Sequence, residues 1–154
     1  MRKVLRNELF ERDSVAQIAT GNASSIFLLI DKESKRQTIV SSGMTTVVKD
    51  EKNKNTLFDQ KVAEDYLDTI PSVPFAVEFK KPVAKLICGD LFSGLLTSEG
   101  ELFTWGWNVY GQLGLRDSSI GVTLTPLKVD FAPKDRIIDV ACGFNHCIAL
   151  TDSQ

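Results

Sequence analysis

Apolar and polar positions alternate in short runs along most of the chain, which is the pattern of β-strands that bury one face. Several of these runs are separated by turns that contain glycine, as expected between antiparallel strands. The chain is therefore expected to be all-β over most of its length. The predicted strands cover residues 15–20, 25–30, 37–42, 45–48, 75–79, 84–88, 92–97, 101–105, 127–131, 137–142 and 147–150.

In one segment the apolar residues have a different spacing. Phe58, Val62 and Tyr66 recur every four residues, which predicts a short helix with one apolar face within an insertion at 50–70, ended by Pro71. The first interpretation is a helix that folds back onto the sheets. The second is a helix that docks a partner protein through Phe58 and Tyr66.

Parts of the chain repeat. A frame of Val or Ile, two residues, an aliphatic residue, two residues and glycine ends at Gly21, Gly89 and Gly143, and a leucine stands seven residues beyond each glycine. A second frame, Pro-x-x-Val-acid-Phe, begins at Pro74 and Pro126. Recurring frames of this kind indicate a repeat architecture. The chain is expected to be a single partial repeat domain, 1–154, with repeats at 15–79, 83–131 and, incomplete, 137–154.

The stretch 101–114 begins as a strand, and a tight turn at 98–100 pairs it with the strand before it. It continues through three glycines suited to positive φ angles or close backbone approach: Gly106, Gly111 and Gly114. The interval from Gly106 to Gly111 matches a phosphate-binding loop. However, Gln112 and Leu113 follow where Lys and Ser or Thr are needed, so no nucleotide site is predicted.

Composition and charge exclude several classes of function. The net charge of −2 over 154 residues argues against a dedicated nucleic-acid surface. No apolar run is long enough for a membrane span or a secretion signal, so an intracellular location, in the cytoplasm or the nucleus, is expected. No motif calls for a cofactor or a metal.

The three cysteines and the single histidine have ordinary structural explanations. Cys88, Cys142 and Cys147 have no disulfide-scaffold spacing. Cys88 and Cys142 share one repeat position and are expected to be small buried hydrophobic residues. His146 is expected to be a hydrogen-bonded structural residue, with a ligand or catalytic role as the weaker alternative.

The segment 83–151 resembles the regulator of chromosome condensation repeat family. The matching residues are Trp105, Gly106, Asn108, Gly111, Gln112, Leu113, Gly114, Pro126 and His146. The match is weak across 15–79, which lacks the tryptophan and the Gly-Gln-Leu-Gly run. The resemblance implies a seven-bladed β-propeller of four-stranded blades, of which this chain would hold about two and a half. With its doubled Trp-Gly-Trp and the long insertion in the preceding unit, the chain resembles a chromatin-linked, single-propeller branch of the family.

Within such a fold, Trp105 and Phe103 are expected to fill the space between adjacent blades. The side chains of Asn108 and Gln112 are expected to satisfy backbone groups of the following loop.

The expected function is a non-catalytic protein-interaction module that binds through blade loops at 50–70 and 115–123. The alternative is guanine-nucleotide exchange on a small Ran-like GTPase, which the resemblance implies for some members. Partners are accordingly expected to be proteins, either a small GTPase or a chromatin protein. Open sheet edges also predict self-association.

Overall fold

The computed structural model describes residues 13–22, 24–43, 75–117, 119–132 and 135–152. Within these residues the chain is all-β: ten strands form three antiparallel sheets, and no helix occurs. The predicted insertion at 50–70, including Phe58 and Tyr66, and the predicted strand at 45–48 lie outside the described residues.

Each sheet is a simple meander in which consecutive strands pair. The first sheet consists of β1 (Asp13–Thr20), β2 (Ser24–Asp31), β3 (Gln37–Gly43) and β4 (Phe75–Phe79). The second consists of β5 (Val83–Cys88), β6 (Phe92–Thr97), β7 (Leu102–Trp107) and β8 (Val122–Lys128). The third is a hairpin of β9 (Ile137–Cys142) and β10 (Cys147–Thr151).

The repeat frame corresponds to one recurring hairpin. The frame glycine of each sheet donates its N–H to the carbonyl three residues later: Gly21 to Ser24 at 2.8 Å, Gly89 to Phe92 at 2.9 Å and Gly143 to His146 at 2.8 Å. Each hairpin also has a bulge at the second frame position, occupied by Ala16, Ala84 and Ile138. The three glycines are therefore equivalent positions in successive sheets.

The first strand of each sheet faces its counterpart in the next sheet. β1 and β2 contact β5, and β5 and β6 contact β9, whereas β4 and β8 are the outer edges of their sheets. The sheets thus lie face to face with their first strands innermost, as blades around a common axis do.

Two apolar clusters hold the sheets together. The first joins Ile26, Leu28 and Ile39 of the first sheet to Leu86, Leu95 and Trp105 of the second. The second joins Ile87, Leu96 and Leu102 of the second sheet to Ile137 and Val140 of the third, and it also contains Val129. Trp105, only 1% exposed, supplies the largest side chain of the first cluster, and Phe103 packs against that cluster.

The two clusters are built from equivalent repeat positions. Leu28 in the first cluster and Leu96 in the second both stand seven residues after the frame glycine. On the opposing sheets, Leu86 and Val140 both stand three residues before it. At both contacts, therefore, the earlier sheet presents one kind of face and the later sheet presents another.

Two expectations need correction. The strand predicted at 127–131 begins earlier, at Val122, because β8 pairs with β7 from Trp107 onwards. Pro126, which lacks an N–H, is tolerated because β8 is an edge strand.

The second correction concerns the cysteines. Cys142 and Cys147 are directly opposite in the β9–β10 ladder and form a disulfide, so Cys142 is not a simple buried hydrophobic residue. Cys88 is a free thiol, and burial raises its pKa.

Candidate interaction surface

One end of the three sheets gathers the turns that precede β2, β6 and β10, together with the long β7–β8 loop. We call this end the loop face; its described residues are 21–22, 89–91, 108–117, 119–121 and 143–146. β3 also ends here, since Gly43 pairs with Ser24. The β3–β4 connection, which contains the predicted insertion, therefore leaves from the same end of the first sheet.

The β7–β8 loop is held by the side chain of Asn108. Its Nδ2 donates to the Ile120 carbonyl at 2.7 Å, and its Oδ1 accepts from the Leu113 amide at 3.0 Å. Its own amide donates to the Gly121 carbonyl at 2.7 Å. Asn108 is buried, its bond with Leu113 is shielded from water, and together these bonds close both ends of the loop.

The side chains of Gln112 and Thr104 also hold the β7–β8 loop. The Gln112 Oε1 accepts from the Tyr110 amide at 2.9 Å, and the Thr104 hydroxyl donates to the Leu113 carbonyl at 2.8 Å. The loop can turn this tightly because Gly111 and Gly114 have φ angles of 74° and 68°. The side chains of Asn108 and Gln112 both bond to backbone groups of this loop.

Backbone bonds join neighbouring loops, one within the second sheet and one between the second and third sheets. The Trp107 amide donates to the Leu91 carbonyl at 2.9 Å, and the Asp90 amide donates to the Phe144 carbonyl at 3.1 Å. Across the first and second sheets, a Cβ added at Gly21 would overlap the Gly89 carbonyl oxygen, so only glycine permits this approach. The loops of the three sheets are therefore in direct contact on the loop face.

Three apolar side chains project from this surface. Val109, Tyr110 and Phe144 are 50%, 59% and 62% exposed. A sequence pattern alone assigns such residues to the core. Their only sequence signal is position: Val109 and Tyr110 lie between the loop residue Asn108 and Gly111, and Phe144 directly follows a frame glycine.

His146, the remaining predicted site residue, is in the β9–β10 turn with its side chain exposed. Its ring lies over Gly143, where a Cβ would overlap it. The ring forms no hydrogen bond within the described part of the chain, so the expected hydrogen-bonded role is not observed there. No cluster of three metal-ligating side chains occurs among the described residues.

The opposite end of the sheets is charged. Lys81 and Lys128 both contact the Glu101 carboxylate, Lys128 at 2.8 Å, and Lys81 also contacts Glu99 at 3.4 Å. The hydrogen bond from Lys128 and then that from Lys81 lower the pKa of Glu101, and the bond to Glu101 raises the pKa of Lys81. Because these charges are paired with one another, this end differs from the loop face, where apolar side chains are exposed.

Side chains at the third position of the repeat frame link β1 to β5 and β5 to β9. Gln17 donates to the Ala84 carbonyl at 2.9 Å and accepts from the Leu86 amide at 3.2 Å, which ties β1 to β5. Its counterpart Lys85 donates to Asp139 at 2.6 Å and to the Val140 carbonyl at 2.8 Å, which ties β5 to β9. The bond from Lys85 lowers the pKa of Asp139.

Among the described residues, no helix is long and apolar enough to cross a membrane.

Comparison with known proteins agrees with this geometry. The sequence model described as "Regulator of chromosome condensation (RCC1) repeat" matches residues 99–150, and a second model of the same description matches residues 83–112. The kinase Nek9 of Xenopus laevis is 40% identical over 74 residues, which are 48% of this chain and 8% of Nek9. The chain therefore spans less than a tenth of that relative's length.

Two solved structures share the fold. Human WBSCR16 superimposes with a TM-score of 0.63 at 24% identity, over 91% of this chain and 32% of that protein. Prp20p of Saccharomyces cerevisiae, whose structure was described with its binding to Gsp1p and histones, gives a TM-score of 0.60 at 21% identity, over 93% and 30%. The three sheets are blades of a β-propeller, and residues 83–150 of the chain carry repeats of the RCC1 family.

Proposed function

We propose that this chain is a non-catalytic protein-interaction module, and that a partner protein docks on the loop face. The observation that carries the proposal is the exposure of Val109, Tyr110 and Phe144 on loops held by side-chain and backbone hydrogen bonds. A rigid scaffold that presents exposed aromatic side chains loses little conformational entropy on binding. Exposed tyrosines of this kind are common energetic centres of interfaces.

The partner is a small GTPase or a chromatin protein, and the chain acts in the nucleus or the cytoplasm. The support is the likeness to Prp20p, whose binding to Gsp1p and to histones is described with its structure. Guanine-nucleotide exchange on a Ran-like GTPase is the second candidate, supported by the same likeness. It would require the chain to distort the nucleotide site of the GTPase, beyond simple docking.

The test measures direct binding of the chain to immobilised Ran-like GTPase and to core histones, with Tyr110→Ala and Phe144→Ala as variants. Loss of a central interface contact of about 2 kcal/mol would weaken binding roughly 30-fold. Lys35→Ala, an exposed change in the turn between β2 and β3 at the charged end, is the matched control. Binding that Lys35→Ala reduces and the aromatic variants leave unchanged would contradict the docking assignment.

Release of a fluorescent guanine nucleotide from the same GTPase separates the two candidates. A docking module leaves the release rate unchanged at catalytic amounts. Accelerated release would establish exchange activity instead.

We also propose self-association through the outer faces of the first and third sheets. Val15 and Ile18 of β1 are exposed at the positions where Val83 and Leu86 of β5 pack against the first sheet. Ile148 and Leu150 of β10 are likewise exposed, although Leu96, the counterpart of Leu150, is buried against the third sheet. The two faces are thus of the complementary kinds that mate within the chain.

A further inference from the structure

The Cys142–Cys147 disulfide occupies a ladder position that recurs in all three sheets. The equivalent cross-strand pair is Thr20 and Ser25 in the first sheet, and Cys88 and Ser93 in the second. In the second sheet the Cys88 Sγ and the Ser93 Oγ are 3.6 Å apart without a covalent bond. The hairpin therefore forms at this position with or without a bond between the two side chains.

We propose that Cys142 and Cys147 are a reversible thiol–disulfide exchange site that controls the loop face. The inference rests on the docking role proposed above for that face. Oxidation closes a ring around the turn Gly143–His146, which contains the exposed Phe144. Reduction leaves this turn held only by its hydrogen bonds.

The exchange partner is a low-molecular-weight thiol and its disulfide. A thiolate of the small molecule attacks one protein sulfur, the bond between Cys142 and Cys147 breaks, and the released cysteine thiolate takes up a proton. A second small thiol resolves the mixed disulfide. In total, one protein disulfide and two small thiols give two protein thiols and one small disulfide.

The surroundings of the Cys142–Cys147 pair favour reaction with a small thiol more than those of Cys88 do. All three cysteines are half-buried, but Cys142 and Cys147 flank a turn in which Phe144, Asn145 and His146 are exposed. Cys88 lies against the first apolar cluster, and burial raises the pKa of its thiol, which disfavours the reactive thiolate. A small thiol therefore reaches the pair in the folded protein and spares Cys88.

The turn is coupled to the second sheet by the bond from the Asp90 amide to the Phe144 carbonyl. A covalent ring that fixes Phe144 also fixes this acceptor. The Asp90 amide hydrogen is consequently protected more strongly in the oxidised protein, and its exchange with solvent reports the coupling.

The experiment equilibrates the chain with glutathione and glutathione disulfide over a range of ratios, without any partner. Acid quenching, alkylation and mass measurement count the free thiols. We expect one alkylated thiol under oxidising conditions and three under reducing conditions. Hydrogen exchange of the Asp90 amide with solvent should be at least about tenfold slower in the oxidised protein, a difference of about 1.4 kcal/mol in the local opening free energy.

Cys147→Ser is the matched control, because it reproduces the unbonded Cys88–Ser93 pair of the second sheet. Its Asp90 exchange should equal that of the reduced wild type at every glutathione ratio. A thiol count that does not change with the ratio, equal Asp90 exchange in both states, or redox-dependent Asp90 exchange in Cys147→Ser would each overturn the proposal. None of these results depends on a partner, so the docking role is judged separately.

Discussion

Gly106 and Gly111 both have positive φ angles, 112° and 74°, but their surroundings differ. A Cβ at Gly106 would lie 2.6 Å from the Leu91 carbonyl oxygen and 2.7 Å from the Phe92 Cα. A Cβ at Gly111 would meet nothing within 4 Å. Glycine is therefore required at Gly111 for its backbone conformation alone, and at Gly106 for both its backbone conformation and the lack of room for a side chain.

Gly111→Ala is expected to lower the free energy of unfolding by about 1–2 kcal/mol, because a side chain is strained at positive φ. Gly106→Ala adds a collision with backbone atoms that cannot move away, and should cost roughly 3 kcal/mol or more. Urea denaturation of both variants measures the difference. Equal losses would show that the close approach of β7 to the 89–91 turn is unimportant.

At the scale of elements, the sequence predicted most strands because their boundaries are marked by glycine turns. β4, β6 and β9 begin and end where the alternation of residues indicates. β8 was misplaced because Val122–Lys128 contains Pro126, which has no N–H to donate and argues against a strand, although the segment pairs with β7.

The disulfide and the exposed aromatic residues could not be predicted in the same way. Cys142 and Cys147 meet only if the β9–β10 turn has one particular length and register, which spacing alone does not determine. The exposure of Tyr110 depends on how Asn108 and Gln112 fold the loop. The sequence predicted the two polar residues that hold the loop, but not the residues that the loop presents.

The ion pairs of Glu101 join β8 to the β4–β5 connection, and their effect should depend on pH. Because the pKa of Glu101 is lowered in the folded protein, its stabilising effect is complete above the ordinary carboxyl pKa of 4.5 and is lost as the pH falls through the lower folded value. At pH 7, Glu101→Gln should lower the Tm by about 1–3 °C. The Tm difference from wild type should disappear at acid pH.

Melting curves of wild type and Glu101→Gln between pH 2 and pH 8, at constant ionic strength, measure this effect. Glu99→Gln is the control, because Glu99 is more exposed and, within the described ranges, its one ion pair is with Lys81, at 3.4 Å. A Tm difference for Glu101→Gln that is the same at all pH values would contradict the ion-pair explanation.

At the scale of the whole molecule, the second sheet differs from its neighbours because apolar clusters cover both of its faces. The first and third sheets each bury one face, and Ile18 and Leu150 remain exposed on the other. Exposed, repeat-equivalent faces of opposite kinds favour head-to-tail contact between chains.

Ile18→Lys and Leu150→Lys are each expected to shift the chain toward smaller species in sedimentation velocity, since a charge on either face must be desolvated on contact. Val109→Lys places the same charge on the loop face and should leave the distribution unchanged. A distribution that responds only to Val109→Lys would instead assign self-association to the loop face.

In the loop from Asn108 to Gly114, the residues that hold the shape of the loop are different from the residues that are exposed on its surface. Asn108 and Gln112 bond to the backbone of the loop, so its path does not depend on the exposed side chains of Val109 and Tyr110. Substitutions at these two positions should therefore alter recognition with little effect on folding. Natural variation can retune this loop for new partners, and a library randomised at both positions would use the blade as an engineered display scaffold.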